Sequence, residues 1–197
     1  SLISGVVRNG ADVDARNGII TNHVAGVYNN LGVNNVEIKN IYLRGVYASS
    51  GGTFTFSNNA VSNVAGDVGS IGMFNCGGGG SFANNTVTLA NDAIASNHSK
   101  GTIYTGNTVT LSGSGIHTDN NGSSGGTADL ISGNTISNGG TNSYGIFTFA
   151  PYLNVVVQDN TLTNLDVALA SAGSYTPGVV TTFTRNTIDA QSRVGST

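Results

Sequence analysis

Apolar residues recur along this chain in a fixed six-residue pattern, apolar-x-x-Asn-x-apolar. It runs from Ile19 to Val24 around Asn22, then Phe56 to Val61 (Asn59), Phe82 to Val87 (Asn85) and Tyr104 to Val109 (Asn107). It continues at Ile131 to Ile136 (Asn134), Val157 to Leu162 (Asn160) and Phe183 to Ile188 (Asn186). The asparagines are separated by 37, 26, 22, 27, 26 and 26 residues. The first step resolves into coils of 18 and 19 if Val36-Glu37-Ile38-Lys39-Asn40-Ile41 is the same motif one residue short. A second motif follows, a small or turn residue and then Val or Ile, at Gly26-Val27, Gly45-Val46, Ser70-Ile71, Ala93-Ile94, Gly115-Ile116, Gly145-Ile146 and Asp166-Val167. These segments are too short and too β-branched for helices, and Gly, Asn and Ser interrupt them every few residues. Each repeat therefore holds at least two short strands, and loops such as Gly77–Gly80 and Gly122–Gly126 absorb the differences in length.

In a parallel coil, equivalent residues stack about 4.8 Å apart along the axis. An Asn kept at one offset between two apolar residues is what such stacking selects: its amide can donate to one neighbour and accept from the other, and it tolerates the left-handed backbone of a tight bend. An antiparallel sandwich gives no reason for that spacing. The pattern predicts a single domain over residues 1–197, a solenoid of seven or eight coils with a ladder formed by Asn22, Asn59, Asn85, Asn107, Asn134, Asn160 and Asn186.

Segments such as Ile131-Ser132-Gly133-Asn134-Thr135-Ile136 followed by Tyr144-Gly145-Ile146 resemble the right-handed parallel β-helix repeat family. That fold is shared by pectate lyases, polygalacturonases, phage tailspikes and bacterial secreted adhesins. The resemblance covers about Ile19 to Ile188. It implies an all-β right-handed parallel β-helix and leaves function open, because this packing hosts unrelated activities. An enzyme of this kind would need clustered aspartates, or a Lys or Arg base beside calcium-binding carboxylates.

Charge narrows the partners. Only 9% of residues are charged, the net charge is −3, and seven scattered Lys and Arg make no basic stripe for nucleic acid or anionic membrane. No apolar run is long enough to insert into a membrane, and no metal-spacing motif, phosphate loop or nucleophile elbow points to a cofactor. Cys76 is the lone cysteine and cannot pair within the chain. The chain starts and stops within the pattern, as expected of a segment of a longer secreted or cell-surface protein. Three sequons, at Asn84, Asn97 and Asn121, follow from the Asn- and Thr-rich composition.

The ten acids, Asp12, Asp14, Glu37, Asp67, Asp92, Asp119, Asp129, Asp159, Asp166 and Asp189, are mostly scattered on the repeat and read as solvated turn residues, although Asp12 and Asp14 share one face in a segment ahead of the first clear coil. The densest chemistry falls on two coils. Aligning Ile94 with Ile116 sets Ala95 against His117, Asn97 against Asp119 and His98 against Asn120, with Lys100 close by. His98, Lys100, His117 and Asp119 are thus the candidate binding residues. Tyr28, Tyr47 and Phe147 follow the second motif and are expected to face outward, on coils too far apart for one platform. The reading is an extracellular structural or adhesive module that associates end to end with copies of itself or with a parent chain. Polysaccharide is the alternative partner, engaged by a carbohydrate-binding or carbohydrate-active β-helix.

Overall fold

A computed structural model of the chain describes residues 1–5, 7, 8, 12, 13, 15–21, 29–49, 51–120, 122, 127–149, 151–174, 176–189 and 193–196. The backbone winds into a parallel β-helix with three faces, and the described residues contain no α-helix. The first face holds Leu2–Ser4, Glu37–Lys39, Ala60–Val64, Thr86–Ala90, Thr108–Thr110 and the beginnings of Thr135–Phe149 and Thr161–Ser171. The second holds Asn17–Ile20, Arg44–Ala48, Ile71–Cys76, Asp92–Asn97, Ser114–Asp119 and the ends of those two long strands. The third runs from Leu31–Asn34 through Thr53–Ser57, Gly79–Ala83, Ile103–Thr105, Asp129–Ser132 and Val155–Gln158 to Thr181–Thr184. Every pairing on these faces is parallel. The seven third-face strands mark six turns, so the solenoid has about six turns rather than seven or eight.

The difference arises at the start of the chain. Ile19 pairs with Val46 on the second face, so it belongs to the second motif and not to an asparagine motif. Asn22, Gly26-Val27 and Tyr28 lie outside the described residues. Val33 pairs with Phe56 and Ile38 with Val61, which places Val36 at the ladder position, while Asn40 receives a hydrogen bond from Asn63 at a different corner. The solenoid also begins before Ile19, because Leu2–Ser4 already pairs with Glu37–Lys39. Asp12 lies in a short antiparallel pairing of Val7–Arg8 with Asp12–Val13, and Asp14 lies outside the described residues.

Three inward columns form the core. They are Ile38, Val61, Val87, Val109, Ile136 and Leu162 on the first face; Val46, Met73, Ile94, Ile116, Ile146 and Leu169 on the second; and Val33, Phe56, Phe82, Tyr104, Ile131 and Val157 on the third. On the third face, Phe82 stacks on Tyr104 at 5.2 Å and meets Phe56 edge-on at 5.4 Å. The small residue before each second-face apolar residue reflects close approach: a Cβ at Gly115 would run into the carbonyl oxygen of Gly145 on the next coil.

Asn59, Asn85, Asn107, Asn134, Asn160 and Asn186 form the ladder, and each amide before Asn186 spans three coils. The Asn107 backbone N–H and Nδ2 both donate to Asn134 Oδ1 at 2.9 Å, while Nδ2 also donates back to the Phe82 carbonyl at 2.9 Å. Asn85, Asn134 and Asn160 repeat this arrangement. At the N-terminal end Val36 donates its N–H to Asn59 Oδ1 but has no amide to pass the ladder on. The left-handed turn falls on the residue before each ladder asparagine, at Asn58, Asn84, Gly106, Gly133, Asp159 and Arg185, and not on the asparagine itself.

Replacing Asn134 by Ala strips the acceptor from two buried Asn107 donors and a donor from Asn160 Oδ1. At about 1–3 kcal/mol for each buried group left unpaired, a loss of about 3 kcal/mol or more is expected in urea unfolding. A loss under about 1 kcal/mol would show that the ladder does not hold the coils.

Candidate functional site

The outward positions of the second face carry the chemistry. Strands alternate their side chains, so the residue after each core apolar residue points out. Read across coils, that column is Tyr47, Phe74, Ala95, His117, Phe147 and Ala170. A parallel column, three residues earlier, contains Arg44, Ile71, Asp92, Ser114 and Tyr144. A third, two residues later, contains Cys76, Asn97, Asp119 and Phe149. Ala95 is the one methyl in a run of rings, and over it opens a groove of about 310 Å³ bounded by Phe74 on one side and His117 and Phe149 on the other.

Arg44 closes one end. Its guanidinium lies 5.7 Å from the Tyr47 ring centre and 6.0 Å from that of Phe74, and Nη1 donates to the carbonyls of Gly69 and Leu43. Tyr47 and Phe74 are 5.6 Å apart. At the other end His117 packs 5.4 Å from Phe147 and 6.1 Å from Phe149, and its Nδ1 lies 3.4 Å from Asp92 Oδ2. Burial works against a charge on His117, yet the hydrogen bond and charge of Asp92, joined by the charge of Asp119, outweigh it and raise the imidazole pKa above its ordinary value. Burial, with the charge of Asp119, pushes the Cys76 thiol up, which disfavours a reactive thiolate.

Hydrogen-bond bookkeeping singles out this groove. Six buried side-chain polar atoms find no partner among the described residues, and four of them, Arg44 Nε, Asp92 Oδ1, Asn97 Oδ1 and His117 Nε2, belong to residues lining it. Buried polar atoms are ordinarily paired, so their concentration at one concave place marks where hydrogen bonds from a ligand would be received. A slightly larger recess of about 350 Å³ near Pro151 and Phe183 is lined by no ionisable side chain.

The four candidates divide. His117 and Asp119 both line the groove, and the paired register sets Ala95 against His117 and Asn97 against Asp119. His98 and Lys100 are exposed and do not line it; His98 occupies a left-handed corner with φ 53°. The partner of His117 is Asp92. Among the described residues no group of three His, Cys, Asp or Glu could hold a metal ion. Sequence reasoning missed Arg44, Phe74 and Asp92. It set Ile71 in the second-motif column, whereas Met73 occupies that column, and this two-residue slip hid both Phe74 beside Tyr47 and the Arg44–Ile71–Asp92 row. The aromatic column is thus more continuous than Tyr47 and Phe147 alone suggest.

The picture of uniformly solvated acids also changes. Asp129 is fully buried behind the second face, where Oδ1 accepts from the Thr102 N–H at 2.8 Å and Oδ2 from Thr118 at 3.0 Å, Ser99 at 3.2 Å and Asn120 at 3.3 Å. Burial raises its pKa despite those donors. Asn120 in turn accepts from the Tyr152 and Leu153 N–H groups, so this network ties the wall under the groove to the loop beyond it.

No family model matches the chain, and no curated protein and no solved structure shows significant similarity to it.

Because the folded pKa of His117 is raised, its contribution to stability is fully present below the unfolded value of about 6.5 and is lost as pH rises through the folded value. Replacing His117 by Asn should therefore lower the melting temperature more at pH 5 than at pH 9. An NMR titration of His117 is expected to give a midpoint above about 6.5, and a midpoint below it would contradict the Asp92 pairing.

Proposed function

We propose that this chain is an adhesive module of an extracellular protein that binds glycan through the second-face groove. The observation that carries the reading is the set of four unpaired polar atoms on residues that line a groove walled by aromatic rings. Sugars present apolar ring faces edged by hydroxyls, and small-ligand sites pair aromatic walls with a few converging polar groups in this way. Low charge suits such a surface, since hydroxyls and amides compete for hydrogen bonds without a long-range field. Membership of the pectate-lyase-like superfamily belongs to the same proposal and is supported by the parallel coils and the stacked buried asparagines.

A carbohydrate-cleaving enzyme is the second reading, favoured by the presence of Asp92, His117 and Asp119 in one groove. Release of reducing ends or unsaturated products from a bound glycan would establish it over simple adhesion.

Association of copies, or of this module with a parent chain, rests on the strand edges. Among the described residues Leu2–Ser4 pairs only with Glu37–Lys39, and Thr181–Thr184 only with Val155–Gln158, so each offers an edge that a further coil could pair with. Light scattering should show mass rising with protein concentration, and a constant monomer mass would remove this part of the proposal.

For the glycan reading, titration calorimetry against a panel of polysaccharides is expected to find at least one ligand. Replacing Phe74 by Ala should weaken its binding about tenfold, since losing about 50 Å² of apolar contact at about 25 cal/mol per Å² costs about 1.3 kcal/mol. Absence of binding across the panel would refute it.

A further inference from the structure

We infer that the groove selects neutral, hydroxyl-bearing glycans and rejects those carrying uronic acid or sulfate groups. This rests on the glycan reading and concerns which glycan is taken.

The selection follows from which atoms lack partners. With the Nδ1–H of neutral His117 donated to Asp92 Oδ2, Nε2 is left as an acceptor. Asp92 Oδ1 and Asn97 Oδ1 are acceptors as well, and only Arg44 Nε is a donor. With His117 neutral the open valences are three acceptors to one donor, with His117 protonated they are two to two, and in either state Asp119 adds a second carboxylate to the lining. A sugar hydroxyl can meet an acceptor with its proton and a donor with its lone pair. A uronate or sulfate oxygen can only accept, so it leaves the acceptors of the groove unsatisfied and brings negative charge towards two carboxylates.

Arg44 does not reverse this balance. Its Nη1 is committed to the Gly69 and Leu43 carbonyls and its guanidinium lies over Tyr47 and Phe74, so a single cation with one unpaired Nε–H is set against the two carboxylates of Asp92 and Asp119. Rejection by unpaired and like-charged groups is a general route to specificity, and here it comes from groups that also serve the favoured ligand.

The test compares the whole chain against neutral glucan and mannan oligosaccharides and against oligogalacturonate and alginate of matched length, at pH 8 and low salt. At least one neutral oligosaccharide is expected to bind, with every acidic one tenfold or more weaker. The double substitution Asp92→Asn with Asp119→Asn, checked for folding by circular dichroism, is expected to shrink that gap at least threefold. An acidic oligosaccharide that binds as tightly as the best neutral one overturns this inference and leaves the glycan reading standing. A gap unchanged in the folded double variant overturns it too, by removing the carboxylates as its cause. Failure of both classes to bind overturns the inference and the glycan reading together.

Discussion

Everything else in this molecule depends on the buried amide that joins three coils at once. A primary amide taken from water without partners costs several kcal/mol, and here the energy is recovered only if the coil above and the coil below both arrive in register. Asn107 shows the constraint: its Nδ2 is bonded forward to Asn134 and back to Phe82, so a shift of either neighbour by one residue would break a buried bond. Register on the other faces then follows, because the short strands on either side of the ladder are pinned by the same residue. The column of Tyr47, Phe74, Ala95, His117 and Phe147 inherits its alignment from a corner that carries no ligand chemistry.

The same constraint explains where length varies. The ladder corner has no slack, so insertions fall between the first and second faces, as at Asp67–Ser70, or between the second and third. The shortest repeat, 22 residues between Asn85 and Asn107, contains Asp92, Ala95 and Asn97. Adjoining repeats of 26 and 27 residues carry extra chain at these corners. The groove lies over this compact coil, among its polar and acidic residues.

The fold was legible because its two determinants are local in sequence: an asparagine between two apolar residues, and a small residue before a β-branched one. Errors came where a turn inserts residues without leaving a trace in the hydrophobic pattern. Ser70-Ile71 satisfies the second motif and Gly72-Met73 does not, because Met is neither Val nor Ile, and only the pairing of Met73 with Val46 and Ile94 reveals the true core position. Asp166-Val167 has the same ambiguity, since Leu169 is the residue that pairs with Ile146. The burial of Asp129 was beyond reach for a different reason. Its donors come from Ser99, Thr102, Thr118 and Asn120, segments whose convergence depends on two corners and one inserted loop. His117 and Asp119 were found because they share a strand with a clear motif, whereas Arg44 and Asp92 needed correct phasing across an inserted turn.

A solenoid with flat faces makes concavity by subtraction. On the first face the outward columns run Thr86, Thr108, Thr135 and Thr161 beside Thr88, Thr110, Ser137 and Thr163, side chains of nearly equal size. On the second face one position in the ring-bearing column is Ala95, and the missing ring volume becomes the groove. A flat column keeps polar atoms either wet or paired with the coil above, as Thr88 is with Thr110 at 3.1 Å. At the recess, polar atoms from three coils are buried without partners, and the oxygens of Asp92 and Asn97 among them can only accept and so cannot pair with one another. Concavity and unpaired polarity thus coincide around the small side chain at position 95, which makes this the one place on the second face where a weakly charged chain gathers an Arg, a His and two Asp side chains.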